Sequence, residues 1–239
     1  MKTKLITLLM AIFALVGSTT AQKKIQVYKD GAVVYSEYVS DIDSVKFIEL
    51  NNGYEYVDLG LSVKWATCNV GATAPEEYGD YFAWGETSPK SDYAWSTYKF
   101  GWKNSLSKYT TLSSYGGLSV DYKIELELED DAAHVNWGGT WRMPTVNEQD
   151  ELLSKCTWTW TTQNGVNGYK VTSNINGNSI FLPAAGSCSA SGLVDAESVG
   201  YYWSTSLNIA YNEAAYILHP NSTYSSSRDQ GLPVRAVCE

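Results

Sequence analysis

Residues 137–153, WGGTWRMPTVNEQDELL, hold the clearest structural signal in the chain. Thr145 and Glu148 have the spacing of a capping box, in which the Thr hydroxyl accepts from the Glu backbone N–H and the Glu carboxylate accepts from the Thr N–H. Pro144 disfavours a helix upstream of this point. The pattern therefore predicts a short helix over about residues 146–155, with Thr145 and Glu148 as structural residues.

Two glycines separate two tryptophans, Trp137 and Trp141, in the first part of this stretch. Large aromatic side chains dominate protein cores. We therefore interpret both tryptophans as core anchors and Arg142 as a buried or bridging structural cation. The alternative is that Trp141 and Arg142 lie at a binding surface.

The first 21 residues predict a signal peptide. Lys2 and Lys4 form a charged start, residues 5–16 are apolar but shorter than a membrane span, and small residues precede a cleavage site after Ala21. The mature chain carries no later stretch that is long and apolar enough to cross a bilayer. We therefore expect an exported protein in the periplasm, at the outer-membrane surface or in the medium.

The composition limits the kinds of partner that the protein is expected to bind. The net charge is −9, and it becomes −11 once Lys2 and Lys4 leave with the signal peptide. Such acidity gives no electrostatic reason to bind nucleic acid. Aromatic residues make up 13% of the chain, with 9 Trp and 18 Tyr, which argues against disorder. Trp and Tyr serve cores and binding faces alike.

Four cysteines lie far apart in the sequence: Cys68, Cys156, Cys188 and Cys238. Their wide separation does not fit a zinc CxxC pattern. Export makes two disulfides possible, and four cysteines allow three pairings. The alternative is four free thiols, because cysteine also packs well as a small apolar side chain.

Residues 22–50 predict a small N-terminal β module. Apolar residues alternate on both sides of Asp30-Gly31, which indicates a tight hairpin, and a third strand is expected near residues 45–48. A unit this small needs a partner surface to be stable.

Residues 51–53, NNG, predict a boundary, and residues 54–239 predict a second domain of short strands and turns. A hairpin is expected around residues 174–178, and a short helix within residues 126–135. We find no internal repeat. A polar and aromatic insertion, residues 86–123, has no clear periodicity; its rings either stack on a carbohydrate or hold a long loop against the core.

The acidic run Glu129, Asp130 and Asp131 could supply oxygen ligands to Ca²⁺. Its spacing differs from the calcium loop D-x-D-x-D-G, and acidic residues commonly begin a helix. We therefore expect no resident cofactor, with Ca²⁺ as the alternative. Catalysis is not indicated either. His134 and His219 are the two histidines, neither in a nucleophile context, and no hydrolase or phosphate-loop motif is present.

Several segments together resemble the Fibrobacter succinogenes major paralogous domain, a family of exported Bacteroidetes proteins. The matching pieces, all within residues 54–239, are YVDLGLSVKWATCNVGA, YGDYFAWGE, LEDDAAHVNWGGTWRMPT, CTWTW, NGNSIFLPAAG, YYWSTSL and GLPVRAV. That family is similar to the C-type-lectin-like group, which includes the formylglycine-generating sulfatase modifiers. There an Arg-Leu-Pro-Thr turn opens a helix and a Gly-x-Arg strand closes the fold.

The resemblance implies an irregular α+β, C-type-lectin-like domain whose terminal strands meet, with short antiparallel strands, one or two short helices and long loops. Arg142 and Arg235 occupy positions comparable to the arginines of the sulfatase-modifier motifs, which implies a structural role for Arg235. The lectin calcium motifs are absent, and the paired catalytic cysteines of the modifiers do not map onto Cys188 or Cys238. Neither activity is therefore carried over.

These observations favour a non-catalytic module that binds a glycan or a surface protein. The residues expected to form its binding face are Trp84, Glu86, Trp95 and Tyr98. Two alternatives remain: a carbohydrate-active or sulfatase-modifier-like enzyme, and a structural component of an envelope assembly that docks through residues 22–50.

Overall fold

The computed structural model describes four stretches of the chain: 24–41, 49–116, 120–220 and 222–239. The chain divides into two units, Met1–Phe47 and Ile48–Glu239. The predicted signal peptide, residues 1–21, and the predicted strand at residues 45–48 lie outside the described residues.

The first unit contains a two-stranded antiparallel ribbon, β1 (Lys24–Lys29) and β2 (Ala32–Tyr38), followed by a turn of 3-10 helix over Val39–Asp41. Asp30 and Gly31 join the strands with φ of 52° and 82°, as the tight turn favoured by Asp-Gly requires. The predicted hairpin is confirmed. A two-stranded ribbon encloses no core, so its apolar side chains are exposed: Val27, Tyr28, Val33, Val34 and Tyr35.

The second unit combines short antiparallel strands with a few short helices, which confirms the α+β class. Its described helices are α1 (Ser113–Gly116), α2 (Ala132–Trp137) and α3 (Val146–Lys155), with 3-10 turns at Trp95–Thr97 and Leu128–Asp130. Its described strands are β3 (Leu50–Asn51), β4 (Tyr54–Val57), β5 (Lys64–Ala66), β6 (Gly101–Trp102), β7 (Ser105–Leu106), β8 (Cys156–Gln163), β9 (Val166–Ser173), β10 (Ser179–Pro183), β11 (Ser187–Ser189), β12 (Gly192–Val194), β13 (Tyr202–Leu207), β14 (Ala214–His219), β15 (Ser222–Ser227) and β16 (Val237–Cys238).

These strands form small sheets with the orders β16-β5-β4-β3, β10-β9-β8 and β13-β14-β15, and the two-stranded ribbons β6-β7 and β11-β12. The predicted hairpin around residues 174–178 is confirmed as the β9–β10 connection. Asn52 and Gly53 form the turn between β3 and β4, with φ of 47° and 88°. Residues 51–53 are therefore a hairpin within the second unit and not the predicted boundary, since the units divide between Phe47 and Ile48.

Residues 231–238 connect distant parts of this unit. β16 pairs with β5, and isolated bridges join Gly231 to Cys188, Leu232 to Phe82 and Val237 to Arg142. One short segment therefore pairs with four parts of the unit that are far apart in the sequence.

The helix predicted from the capping box spans Val146–Lys155. The Thr145 Oγ1 accepts from the Glu148 N–H (3.3 Å), and the Glu148 carboxylate accepts from the Thr145 N–H (2.7 Å). The same carboxylate receives the Arg142 guanidinium through two N–H donors (2.8 and 2.5 Å). Arg142, which forms an isolated bridge with Val237, therefore links that bridge to the start of α3, as interpreted.

This arrangement makes stability depend on pH. Burial disfavours the ionised form of Glu148, but the Arg142 guanidinium and the Thr145 N–H more than offset it, so the pKa of Glu148 lies below its ordinary value. A carboxyl with a lowered folded-state pKa stabilises above its unfolded pKa, and this contribution is lost as the pH falls through the folded pKa. We expect Glu148→Gln to lower the free energy of unfolding by about 1 kcal/mol at neutral pH and to flatten its fall between about pH 5 and pH 2. Urea unfolding at stepped pH measures this.

The control for this test is Glu37→Gln, which neutralises an exposed glutamate on β2. It should leave the pH profile of the wild type unchanged. Parallel profiles for Glu148→Gln and the wild type would contradict the role given to the Arg142–Glu148 pair.

Two adjoining clusters of buried side chains form the interior of the second unit. One is centred on Trp84, Trp141 and Trp203, and the other on Trp65 and Leu152. Trp141 is 0% exposed, and its indole Nε1 donates to the Asn51 carbonyl (2.7 Å). Trp137 meets it edge to face, with 5.0 Å between ring centroids, and is also buried. Both tryptophans are core residues, as interpreted.

Arg235 is buried, and no acidic residue among those that the structure describes pairs with it. Its Nε donates to the Asn69 Oδ1 (2.9 Å), and its Nη1 donates to the carbonyls of Ala66 (3.0 Å) and Thr67 (2.8 Å). Burial lowers the pKa of Arg235. The guanidinium thus holds the segment before β16 to the end of β5, which is a structural role.

All four cysteines are free thiols, so the two-disulfide alternative is not formed. Cys156 belongs to the core cluster around Trp65, whereas Cys238 belongs to the cluster around Trp141. Burial raises the pKa of each thiol, that of Cys156 to about 11. Each thiol packs as a small apolar side chain, and Cys68 and Cys188 lie against the same cluster as Cys238.

Candidate functional site

Three of the four residues predicted to form a binding face lie in the interior. Trp84 is 0% exposed, and its indole donates to the Ser204 carbonyl (2.8 Å). Tyr98 is buried, and its hydroxyl donates to the Trp84 carbonyl (2.7 Å). Glu86 is 9% exposed and pairs with Lys90 (2.9 Å). The prediction that these four residues form an exposed binding face is therefore wrong for Trp84, Glu86 and Tyr98.

The reason is the path of residues 82–84 through the core. Phe82 exchanges backbone hydrogen bonds with Leu232, and the Trp84 N–H donates to the Arg228 carbonyl (2.9 Å). These bonds tie the segment to the last turns of the chain and direct its side chains inward.

Trp84 and Tyr98 instead surround a buried cation, Arg228, which the sequence analysis missed. The guanidinium is 0% exposed and lies 4.7 Å from the centre of the Trp84 ring and 5.3 Å from that of Tyr98. Its Nε donates to the Tyr98 hydroxyl (2.8 Å), and its other nitrogens donate to the carbonyls of Lys108 (3.1 Å), Tyr109 (3.1 Å) and Asn212 (3.0 Å). Arg228 therefore joins residues 98–109, which are part of the 86–123 insertion, to the turn after β13. No sequence motif marks such a residue.

The acidic residues considered for Ca²⁺ do not form one site. Glu127, Glu129 and Asp130 have carboxylate oxygens within 4.8 Å of one another, but the Lys108 ammonium pairs with all three, at 2.6, 3.0 and 2.6 Å. Asp131 points elsewhere: its carboxylate accepts from the backbone N–H groups of His134 (2.9 Å) and Met143 (2.8 Å). Asp131, one of the three candidate ligands in the Ca²⁺ alternative, therefore does not share a site with Glu129 and Asp130.

This cluster is held together by charge. Burial raises the pKa of Asp130, but the ammonium groups of Lys108 and Lys99 and the Tyr109 hydroxyl more than offset it, so its pKa lies below its ordinary value. Burial lowers the pKa of Lys108, and its carboxylate partners more than offset that effect. The cluster is an internal ion-pair network.

The surface of the second unit carries a cleft of about 510 Å³ beside the β14–β15 hairpin. The hairpin places His219 between two tyrosines: the Tyr201 ring stacks on it at 5.7 Å between centroids and 27° between planes, and Tyr224 meets it edge-on at 5.2 Å. Asp195 also lines this cleft, which we call the histidine cleft. Burial and the charge of Asp195 raise the pKa of Tyr201. Burial lowers the pKa of His219, so its ring is neutral at pH 7.

A second cleft, of about 460 Å³, lies beside the aromatic insertion. Trp95 and Trp102 line it on one side, and the β11–β12 turn, residues 189–191, lines it on the other. Trp102 is 50% exposed, and Trp95 is half-buried against Tyr98, with 5.3 Å between centroids. We call this the tryptophan cleft. Trp95 is the one residue of the predicted face that lines either cleft.

The two clefts share a wall. Gln230 lines both, and the β11–β12 hairpin borders both, with Ser187 in the histidine cleft and Ser189 in the tryptophan cleft. The Gln230 Oε1 accepts from the Ser226 hydroxyl (2.8 Å), which fixes the direction of the amide. We refer to the two clefts together as the groove.

Comparison with known proteins assigns nothing to this groove. No protein-family model, no curated protein and no solved structure matches the chain. Among the described helices, the longest covers ten residues, α3, and none is long and apolar enough to span a membrane.

Proposed function

We propose that this protein is an exported, non-catalytic module that binds a glycan through the groove. The observation that carries the proposal is the pairing of exposed aromatic rings with hydrogen-bonding side chains in two clefts that are both lined by Gln230. A sugar ring presents an apolar C–H face and a rim of hydroxyls. Trp102 and Tyr224, 50% and 55% exposed, offer matching flat faces, while Asp195 and Gln230 offer acceptors and donors for the hydroxyls.

The proposal includes membership of the Fibrobacter succinogenes major paralogous domain family, with a C-type-lectin-like fold. Its support is the sequence resemblance together with the sheet that joins β16 to β5 and β4. A lectin-like domain brings its terminal strands together in this way. Export rests on the predicted signal peptide.

Binding without catalysis is favoured by the carboxylates of the groove. Among the described residues, each cleft is lined by one acidic side chain: Asp195 in the histidine cleft and Asp229 in the tryptophan cleft. Glycoside hydrolysis by the usual mechanisms needs two carboxyl groups that flank one bond. Asp229 is moreover 9% exposed, and it accepts a hydrogen bond from the Ser227 hydroxyl.

The test compares groove variants with matched surface variants on a glycan array, followed by calorimetry with each glycan that binds. Trp102→Ala and Tyr224→Ala are expected to lower the affinity by about tenfold or more, because exposed aromatic rings at the centre of a binding site contribute most of its energy. The controls are Trp160→Ala and Tyr211→Ala, which truncate rings that are 45% and 60% exposed but do not line the groove.

The controls should retain wild-type affinity within about twofold, a difference of under about 0.5 kcal/mol. Circular dichroism verifies that all four variants fold. An equal loss in the control variants, or an array without any bound glycan, would refute the proposal.

A further inference from the structure

The charge of the groove restricts the ligand. Among the described residues that line it, the ionised side chains are Asp195 and Asp229, and neither cleft contains a lysine or an arginine. His219 is the one basic candidate, and it is held between two tyrosine rings. An anionic sugar would meet two like charges and no counter-charge among these residues, and like charges across an interface oppose binding. The groove therefore disfavours uronic acids, sialic acids and sulfated glycans.

The two carboxylates do not make the groove a cation site. Asp229 is 9% exposed and already accepts from the Ser227 hydroxyl. The rings of the histidine cleft pack against one another, with 5.7 and 5.2 Å between neighbouring centroids. They form a platform and not a cage around an empty centre, as a quaternary ammonium ligand requires. Stacked rings of this kind suit an uncharged sugar face.

The shared wall indicates how much of a chain the groove holds. Each cleft has the volume of a small-molecule site, about 510 and 460 Å³, and each has its own exposed ring, Tyr224 or Trp102. Gln230 lies between them, with its Oε1 held by Ser226. Its Nε2 makes no hydrogen bond to any residue that the structure describes, so it is open to donate to a ligand hydroxyl.

We infer that the ligand is a neutral glycan chain that occupies both clefts at once and receives a hydrogen bond from Gln230 at the crossing point. This inference rests on the proposed function and adds two properties to it, the absence of ligand charge and the length of the bound segment. Trp102 and Tyr224 stack on separated sugar units of one chain. Neither cleft alone provides the full affinity.

The first arm of the test is affinity electrophoresis of the full chain in gels that contain one polysaccharide each. The neutral probes are hydroxyethylcellulose, xyloglucan, galactomannan and arabinoxylan, the anionic probes are polygalacturonate and chondroitin sulfate, and the cationic probe is chitosan. We expect retardation by at least one neutral polymer and by none of the charged ones. Retardation by charged polymers alone would overturn the inference and leave the proposed function standing.

The second arm is calorimetry with a length series of oligosaccharides from the retarding polymer, starting at the monosaccharide. The affinity should rise with length and then level off. For Trp102→Ala and for Tyr224→Ala, the affinity should stop rising at a shorter oligosaccharide than for the wild type. Gln230→Ala should lower the affinity for the longest oligosaccharide by about tenfold and leave the affinity for the shortest almost unchanged. Trp160→Ala is the control and should follow the wild type.

The outcomes separate the two claims. An affinity that does not change with length, or a Gln230→Ala variant that weakens ligands of every length equally, overturns the two-cleft inference while glycan binding stands. A protein that no polysaccharide retards and no glycan binds overturns both.

Discussion

Replacing Arg228 by methionine should lower the free energy of unfolding by about 4 kcal/mol, the effect expected when a buried side chain that makes four hydrogen bonds is removed. The substitution leaves the carbonyls of Lys108, Tyr109 and Asn212 and the Tyr98 hydroxyl without their donor in a dry interior, and each unsatisfied group costs about 1–3 kcal/mol, though not additively. It also removes the attraction between the guanidinium and the Trp84 ring at 4.7 Å.

Urea unfolding monitored by tryptophan fluorescence measures this effect. Arg228→Lys keeps the charge and loses the planar fork, so we expect it to recover part of the stability only. Lys170→Met is the control, because it removes an exposed cation on β9 and should change stability by less than about 0.5 kcal/mol. A lysine variant as stable as the wild type would show that the directional hydrogen bonds of Arg228 matter little.

Trp141→Ala should lower the free energy of unfolding by about 3–5 kcal/mol, the range for a buried tryptophan truncated to alanine. The indole is 0% exposed, packs edge-on against Trp137 at 5.0 Å and donates to the Asn51 carbonyl (2.7 Å). Truncation therefore creates a cavity, removes the edge-to-face neighbour of Trp137 and leaves the Asn51 carbonyl at the end of β3 without its donor.

Trp141→Phe separates these contributions, because phenylalanine fills much of the space and lacks the N–H donor. The free energy of unfolding of Trp141→Phe should lie between those of the wild type and the alanine variant. Trp160→Ala is the matched control: that indole is 45% exposed and touches Tyr169 at 4.9 Å, a cross-strand pair worth about 0.2–1 kcal/mol. Equal losses for Trp141→Ala and Trp160→Ala would contradict a core at Trp141.

Local signals in the sequence predicted local structure well. The capping box at Thr145 and Glu148 fixed the start of α3, and Asp30-Gly31 fixed the β1–β2 turn, because in both cases the partners of the backbone groups lie within a few residues. The hairpin predicted around residues 174–178 is also present, as the β9–β10 connection, because its turn residues follow one another in the sequence.

Features that depend on distant partners were not predictable in this way. The segment 81–84 is as apolar as a strand, yet it makes a single bridge, to Leu232, and its tryptophan turns inward to Arg228. Conversely, β15, with the sequence STYSSS, has no apolar alternation and was missed, although it provides Tyr224. The groove is formed by segments that these long-range pairings bring together. The sequence analysis therefore identified one residue of the groove, Trp95, but could not predict its shape.

The late position of residues 231–238 has a consequence for biosynthesis. This segment supplies partners to Cys188, Phe82, Arg142 and β5, which a ribosome produces much earlier. Pairings between such remote stretches form slowly. A nascent chain therefore cannot complete these pairings until residues 231–238 have emerged from the ribosome.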